Sequence, residues 1–598
     1  MSEPVLPRPA RTAGVVFAWV LAALVLLSIF VVAWVGIRGF LAYGHLTDAQ
    51  SRAASVRADL TDPTTVATAL ADLSADTQQA HALTSDPIWR AAEGLPWVGP
   101  QLAAVSTVAG ALDEVASTAL APLAQVASTF SVDALRPQNG RIDLTSFQSV
   151  QDAATTGTRS LGQAAASIDA IDRAPLVSPL RDAVNQVDDL LAQTESATGA
   201  LARATALLPA MLGADGPRDY LVLFQNNAEL RSLGGNPGAM ALIHTDGGTM
   251  TLTAQDSTSG FPKYPESVIP LSEEVRALYG DRPGEWMQNT TLVPDFTVAA
   301  EAARAMWARE HDGLEVDGVL SIDPVALSYL LAATGPVTLP TGDVLTPDNA
   351  VQLLLNEVYL RYERPADQDA FFAAAASGIF TALSSGNVDP VTLLTALARA
   401  GDEDRLLIWS ARDDDQALLA DTTLAGGLPV TDRDASTFGV YLNDGTGSKM
   451  DYYLGVDTQV QWTTCVPASD RTATGQAQLA LTLTNNAPAD SASLPDYITG
   501  GGTFGVPPGT IRTVGYIYLP EGFDLVDADV TGTPGFGGGF HDGRQVLSFS
   551  VDLVPGASAT ATATVQTTAP SSTTMIARTT PTVNTTDTQS LVAVCETP

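Results

Sequence analysis

Residues 218–256 read RDYLVLFQNNAELRSLGGNPGAMALIHTDGGTMTLTAQD. Tyr220 to Phe224 is an unbroken apolar run of strand length. Residues 239–244 and 249–254 flank Asp246-Gly247-Gly248, a hairpin signal. A polar, Gly-rich segment, Gln225 to Gly238, separates the first strand from that hairpin. Farther on, helices alternate with short strands. Asp295 is an N-cap for a helix through Arg309, and residues 318–322 form a strand. Asp323-Pro324 supplies a cap and a first-turn proline, and Gly335-Pro336 ends that helix. Thr346-Pro347 and Asp389-Pro390 repeat the device, with helices to Tyr362 and Gly401. Strands alternating with capped helices predict an α/β or three-layered core over residues 213–462.

Upstream, residues 46–212 are Ala-rich with apolar positions spaced by three and four. Leu46 to Leu60, Leu102 to Phe130 and Val184 to Leu208 each form such a stripe. Asp86-Pro87, residues 94–100, residues 136–140, Pro175 and Pro179 punctuate them. This predicts a helical stalk or bundle over 38–212, a self-associating coiled coil being the alternative. Still earlier, residues 13–37 are uncharged and apolar for about 25 residues, enough to span a hydrocarbon core. Arg8 and Arg11 precede the run and Arg38 follows it, which predicts residues 1–12 in the cytoplasm. A cleaved signal peptide would have a shorter apolar core and a small-x-small site. Trp34, Arg38, Phe40 and Tyr43 follow here, which favours an uncleaved, single-pass anchor in the cell membrane with the C-terminal body extracytoplasmic.

Downstream, residues 476–484, 513–519, 545–553 and 559–566 alternate at strand period, with Pro-Gly turns between. They predict an immunoglobulin-like β-sandwich over 463–598. Residues 535–540 are expected to be a loop, and residues 567–598 a Thr-rich tail that returns as a strand near Leu591. The fold class is therefore α+β and multidomain. Cys465 and Cys595 are the only cysteines. An even pair in an oxidising compartment predicts one disulfide, with two buried free thiols as the alternative.

The chain has 598 residues and a net charge of −36, which disfavours nucleic acid as a partner. Lys263 and Lys449 are the only lysines among abundant Ala, Asp and Thr, a bias of high-GC genomes such as those of actinobacteria. The histidines are scattered, and zinc-protease, Gly-x-Ser-x-Gly and phosphate-loop motifs are absent from the sequence. Asp413-Asp414-Asp415 is expected to be a solvated helix start.

The candidate site is the segment after the first strand. Arg231 suits bidentate capture of a phosphate, and the glycines let backbone N–H groups approach it. A structural turn holding an Arg–Glu pair would have the same pattern.

Asn226-Asn227-Ala228-Glu229-Leu230-Arg231, followed by Gly234-Gly235, resembles the hallmark of a bacterial envelope family, domain of unknown function 4012. Asp317 to Pro324 and Thr334 to Val337 resemble its later motifs, and Trp97-Val98-Gly99 its upstream helical part. The resemblance covers roughly residues 218–462 and implies an anchor with an exported body. The order of features also resembles the LytR-CpsA-Psr transferases, which attach lipid-linked glycopolymers to peptidoglycan. Asp256-Ser257-Thr258 and Tyr359 to Arg364, followed by Asp367 and Asp369, carry that likeness. It implies a LytR-CpsA-Psr-like core in which Arg231, Arg361 and Arg364 converge with Glu229, Asn227 and Asp256 on a polyprenyl-phosphate-linked substrate. It further implies that Asp256, Asp367 and Asp369 hold Mg2+. Leu233 and Phe371-Phe372 stand where that group has an acidic and an Arg-rich element. The expected role is binding or transfer of such a substrate in envelope glycopolymer assembly. A non-catalytic envelope scaffold is the alternative, and whether the protein is an enzyme stays open at this level.

Overall fold

The computed structural model describes residues 8–58, 63–129, 136–138, 140–468, 472–532, 535–584 and 588–595. The chain divides into two compact units. One comprises Met1–Ala134 with Leu144–Pro209, the other Leu135–Asp143 with Ala210–Pro598.

In the first unit the apolar run does not end a helix at Arg38. It lies within Arg8–Ala58, which continues unbroken through the polar residues beyond. Val16–Arg52 is the one stretch of helix among the described residues long and apolar enough to cross a membrane. Past the apolar run, this helix is tied antiparallel to Pro63–Thr84. His45 Nδ1 lies 3.0 Å from Asp76, and Arg52 reaches Asp72 at 2.6 Å and Asp76 at 2.8 Å. Asp86 then caps the short helix Pro87–Glu93, accepting from Ile88 and Trp89 N–H. Helices Gly99–Glu114, Ser146–Asp169 and Ser178–Met211 follow. Small side chains such as Ala104, Ala111 and Ala164 fill the core beside Leu161, Ile168 and Leu191. The helices therefore approach closely, while each residue buries little apolar surface. Residues 1–7, Leu60 and Phe130 of the predicted elements lie outside the described residues.

The second unit opens with a five-stranded sheet. Its order is Thr249–Ser257, Asn236–Asp246, Arg218–Asn226, Gly318–Ile322, Leu406–Ser410. The first strand in sequence sits centrally, antiparallel to its hairpin partner and parallel to Gly318–Ile322. Its side chains alternate between two cores. Leu221 and Leu223 pack with Met306 and Trp307, whereas Val222 packs with Leu327, Leu331 and Leu354 on the other face. Three of the predicted caps form: Asp295 on Thr297 N–H, Asp323 on Ala326 N–H and Asp389 on Thr392 N–H. Thr346-Pro347 does not start its helix, which begins at Ala350 after a turn. Gly318 cannot carry a side chain, since a Cβ there would lie 2.7 Å from the Trp409 carbonyl oxygen. Asp415 is not solvated as expected. It is buried in an ion pair with Arg218.

Two further sheets share a core to which Val440, Leu479, Leu481, Ile517 and Leu547 contribute. One has the order Gly537–His541, Arg544–Leu553, Ile511–Tyr518, Ser436–Asp444, Thr574–Thr579, Val592–Val594. The other contains Phe523–Val530, Ser558–Thr567 and Thr472–Asn485, with Leu454–Pro467 paired to the last. Three expectations change. Ser436–Asp444 and Leu454–Pro467, assigned above to the α/β core, are strands of these sheets. The expected glycine loop supplies the edge strand Gly537–His541. The Thr-rich tail is drawn inside, where Thr574–Thr579 runs parallel to Ser436–Asp444. Cys465 and Cys595 are bridged, with Cα atoms 5.9 Å apart.

Candidate functional site

The segment between the first strand and its hairpin partner is buried rather than an open loop. Ala228, Leu230 and Leu233 are enclosed, and Asn227 is fully inaccessible. Gly234 adopts φ +129°, and a Cβ on Gly235 would fall 2.3 Å from the Asn226 backbone, so the Gly-Gly pair lets the chain fold back tightly. Chain in and beside the six-stranded sheet closes over it. Leu230 N–H donates to Asp451 at 2.8 Å, Ser232 N–H to Asn443 at 2.9 Å, and Thr580 Oγ1 to the Ser232 carbonyl at 2.9 Å. Asn227 Nδ2 donates to Asp323 at 3.0 Å and to the Pro581 carbonyl at 3.2 Å, a positioning role.

Glu229 is the centre of this arrangement. One carboxylate oxygen accepts from Arg231 at 2.9 Å, and the other accepts from Lys449. All three side chains are buried. Burial works against the Glu229 charge, but the Lys449 ammonium and the Arg231 guanidinium outweigh it and hold the carboxyl down at about 2. Burial likewise opposes the charge on Lys449, and Glu229 with the Tyr359 and Tyr497 rings keeps it protonated above its ordinary range. The ammonium lies 5.3 Å from the Tyr497 ring centroid and 5.9 Å from that of Tyr359. Nearby acids respond in the opposite sense. Burial, then Glu229, push Asp444 up to about 6, and burial with Asp444 pushes Asp451 well above the carboxylate range.

Glu229 and Lys449 of this ionic cluster line a cleft of about 340 Å³. Lys449, Glu229, Asn236 and Tyr497 line the polar end, and Leu327, Leu354, Leu355, Phe372 and Ile379 line the apolar wall. Leu354 and Leu355 sit in a π-helical turn, Leu353–Glu357, a local irregularity frequent at functional sites. Asn236, 7% exposed, has a buried Oδ1 with no hydrogen-bond partner. A void of about 20 Å³ beside Ser232 and Arg578 has room for little more than a water.

The predicted site residues do not gather here as a set. Glu229 lines the cleft, while Arg231 points its guanidinium at Glu229, Asn289 and the Leu230 carbonyl. Arg361 pairs with Asp343 at 2.6 Å and with Glu357. Arg364, with an 80% exposed side chain, pairs with Asp367 at 2.8 Å. Each guanidinium thus has its own carboxylate, and for Arg361 and Arg364 one lies three or four residues away. The expected metal set also divides. Asp256 lies 3.4 Å from His311 Nε2, Asp367 is held by Arg364, and Asp369 accepts from Ser257 and Ser259 at the cleft. Among the described residues, no group of three or more His, Cys, Asp or Glu is arranged to hold a metal ion. Sequence reasoning missed Lys449, Asn236 and Tyr497. The signal for Lys449 was its rarity, one of two lysines in an Arg-biased chain.

Residues 215–359 match the model of a family described as a protein of unknown function, DUF4012. Over this segment the chain is similar to the DUF4012 family. Within the matched segment lie four of the five strands of the mixed sheet, the buried loop with Glu229 and Arg231, and Tyr359 of the cleft lining. Lys449 and Tyr497, which complete the polar end, come from chain beyond it. No curated protein and no solved structure matches the chain.

Proposed function

We propose that this is a membrane-anchored envelope protein with an extracytoplasmic body that binds, and does not transfer, an amphiphile of the polyprenyl-phosphate class. The observation that carries this reading is the cleft, with buried ionic and amide groups at one end and an aliphatic and aromatic wall beside them. A volume of about 340 Å³ is at the lower end for ligand sites. It accommodates a head group and the first isoprene units, the rest of the tail lying outside.

Lys449 is the cation that an anionic head would meet in the cleft, whose lining also carries Glu229 and Asp369. Lys449 and Arg231 supply two cations against Glu229, while burial keeps Asp451 protonated. Asp444, pushed up to about 6, is ionised at neutral pH and balances that surplus there, so anion binding is expected to strengthen as the pH falls through 6. Asn236 lines the same cleft and holds a buried acceptor, Oδ1, without a hydrogen-bond partner, which a small shift on binding would offer to a ligand donor such as a sugar hydroxyl. Transfer chemistry lacks support, because phosphoryl transfer needs converging cations or a metal, and here each of the three predicted arginines is committed to a carboxylate. The disulfide supports an oxidising compartment, consistent with a role in glycopolymer assembly outside the membrane.

A chain-length series of prenyl monophosphates tests this on the full-length protein. Affinity is expected to rise over the first isoprene units, at about 25 cal/mol per Å² buried, and then level off. Ala376→Phe, which fills a half-buried position of the wall, is expected to weaken binding about tenfold or more without lowering the melting temperature much. Equal binding by the variant, or affinity independent of chain length, would contradict the proposal.

A further inference from the structure

The base of the helical unit carries a second apolar feature. Its position follows from contacts along antiparallel helices. Asp86 accepts from Arg38 Nη1 at 2.9 Å and from Trp34 Nε1 at 3.4 Å, so the segment around Asp86 lies where the apolar span ends. Trp89, buried, packs over Gly39, where a Cβ would lie 3.5 Å from the ring, and donates to the Leu102 carbonyl at 3.2 Å. Gly110 faces the His81 ring, where a Cβ would lie 3.2 Å away. These contacts point the N-terminus of Gly99–Glu114 toward the span. At 1.5 Å per residue, Gly99 lies about 4.5 Å closer to the span than Leu102. The turn before it, Gly94 to Val98, is therefore level with the last turns of the apolar run.

That turn presents Leu95, Trp97 and Val98 to solvent, with Trp97 90% exposed. Trp97 also has φ +68°, a conformation unusual for a bulky residue. Gln101 links the turn to a second one, donating to the Pro175 carbonyl at 2.8 Å and accepting from Val177 N–H at 3.1 Å. Val177 is exposed as well. Four large apolar side chains thus face outward at one end of the bundle, and Phe40, Leu41 and Tyr43 of the long helix are exposed as well. Surface of this kind, level with the end of a spanning segment and carrying tryptophan, matches the interfacial layer of a bilayer.

We propose that the turn Gly94 to Val98, together with Val177, inserts into the lipid interface on the body's side of the membrane. The helical unit then stands on the bilayer at two points, its span and this patch.

The test uses full-length protein reconstituted in phosphatidylglycerol–phosphatidylethanolamine vesicles. Both native cysteines are bridged, so single introduced cysteines take a polarity-sensitive fluorophore cleanly. Labelled W97C is expected to be shielded from iodide several-fold relative to L201C, and quenched by lipids with a spin label just below the head group. Leu201, some 24 residues up the last helix, lies about 36 Å from Val177 and is the aqueous reference. V177C should behave like W97C and provides a second reading if the turn rearranges on losing its tryptophan. Iodide access equal to that of L201C at both sites would overturn the proposal. So would shielding from iodide without quenching by the spin-labelled lipid, which would assign the patch to a protein partner.

Discussion

Replacing Lys449 by methionine is expected to destabilise the unit containing the mixed sheet by about 3–5 kcal/mol, the range for breaking a buried ion pair. Methionine keeps much of the volume and removes the charge, leaving one Glu229 oxygen buried without its cation. Glu229→Gln should cost more, because it strands both Lys449 and Arg231. Arg364→Ala removes an exposed pair and should change stability by less than about 1 kcal/mol. The effect has a defined pH dependence. The folded-state pKa of Glu229, at about 2, is below its unfolded value of about 4.3. Its contribution is therefore present above pH about 4.3 and is lost as pH falls toward 2. Lys449 is shifted upward, so its share is complete below about pH 10.4 and fades only above that. The gap between wild type and Lys449→Met should be widest between these limits and close in acid. Denaturant unfolding followed across that range measures it. A loss no larger than that of Arg364→Ala would show that the cluster is not a structural centre.

Loss of the Cys465–Cys595 bridge should have a comparable effect. The bridge closes a loop with a sequence separation of 130 residues. Removing that constraint releases about 5 kcal/mol of unfolded-chain entropy in the simplest treatment. The native fold concentrates the consequence at one edge. Val592–Val594 pairs only three residues with Thr574–Thr579, and the disulfide fastens it to the long strand Leu454–Pro467. Without it the terminal strand should detach first, exposing Met575 and its neighbours. The double variant C465S/C595S, or the reduced wild type, should unfold at a markedly lower denaturant concentration, with proteolysis beginning after Thr579. An unchanged midpoint would mean that the sheet edge holds by itself.

What the sequence revealed was local. Asp246-Gly247-Gly248 set its hairpin because two successive residues there need positive φ. Asp323-Pro324 and Asp389-Pro390 marked helix starts because cap and first-turn proline act within three residues. The two cysteines paired because there was one pairing to make. Elements that depend on distant partners were hidden. Ser436–Asp444 is buried on both faces over nearly its whole length, so it has no alternation to detect. Gly537–His541 is mostly glycine and becomes a strand only because Arg544–Leu553 lies beside it. The site follows the same rule. Glu229 and Arg231 were visible as a motif, but Lys449 joins them across 220 residues of sequence. Arg361 and Arg364 were credited with a shared ligand although carboxylates three or four residues away already matched them.

Photolabelling tests the ligand assignment most directly. A polyprenyl phosphate carrying a diazirine on its first isoprene unit, added to the full-length protein in detergent and irradiated, is expected to mark residues on the cleft wall. Leu354, Leu355 and Phe372 are the foremost targets, with excess unlabelled lipid removing the signal and Ala376→Phe reducing it about tenfold. Label spread evenly over the apolar helix and the protein surface, or undiminished by competitor, would contradict a lipid-binding role for this cleft.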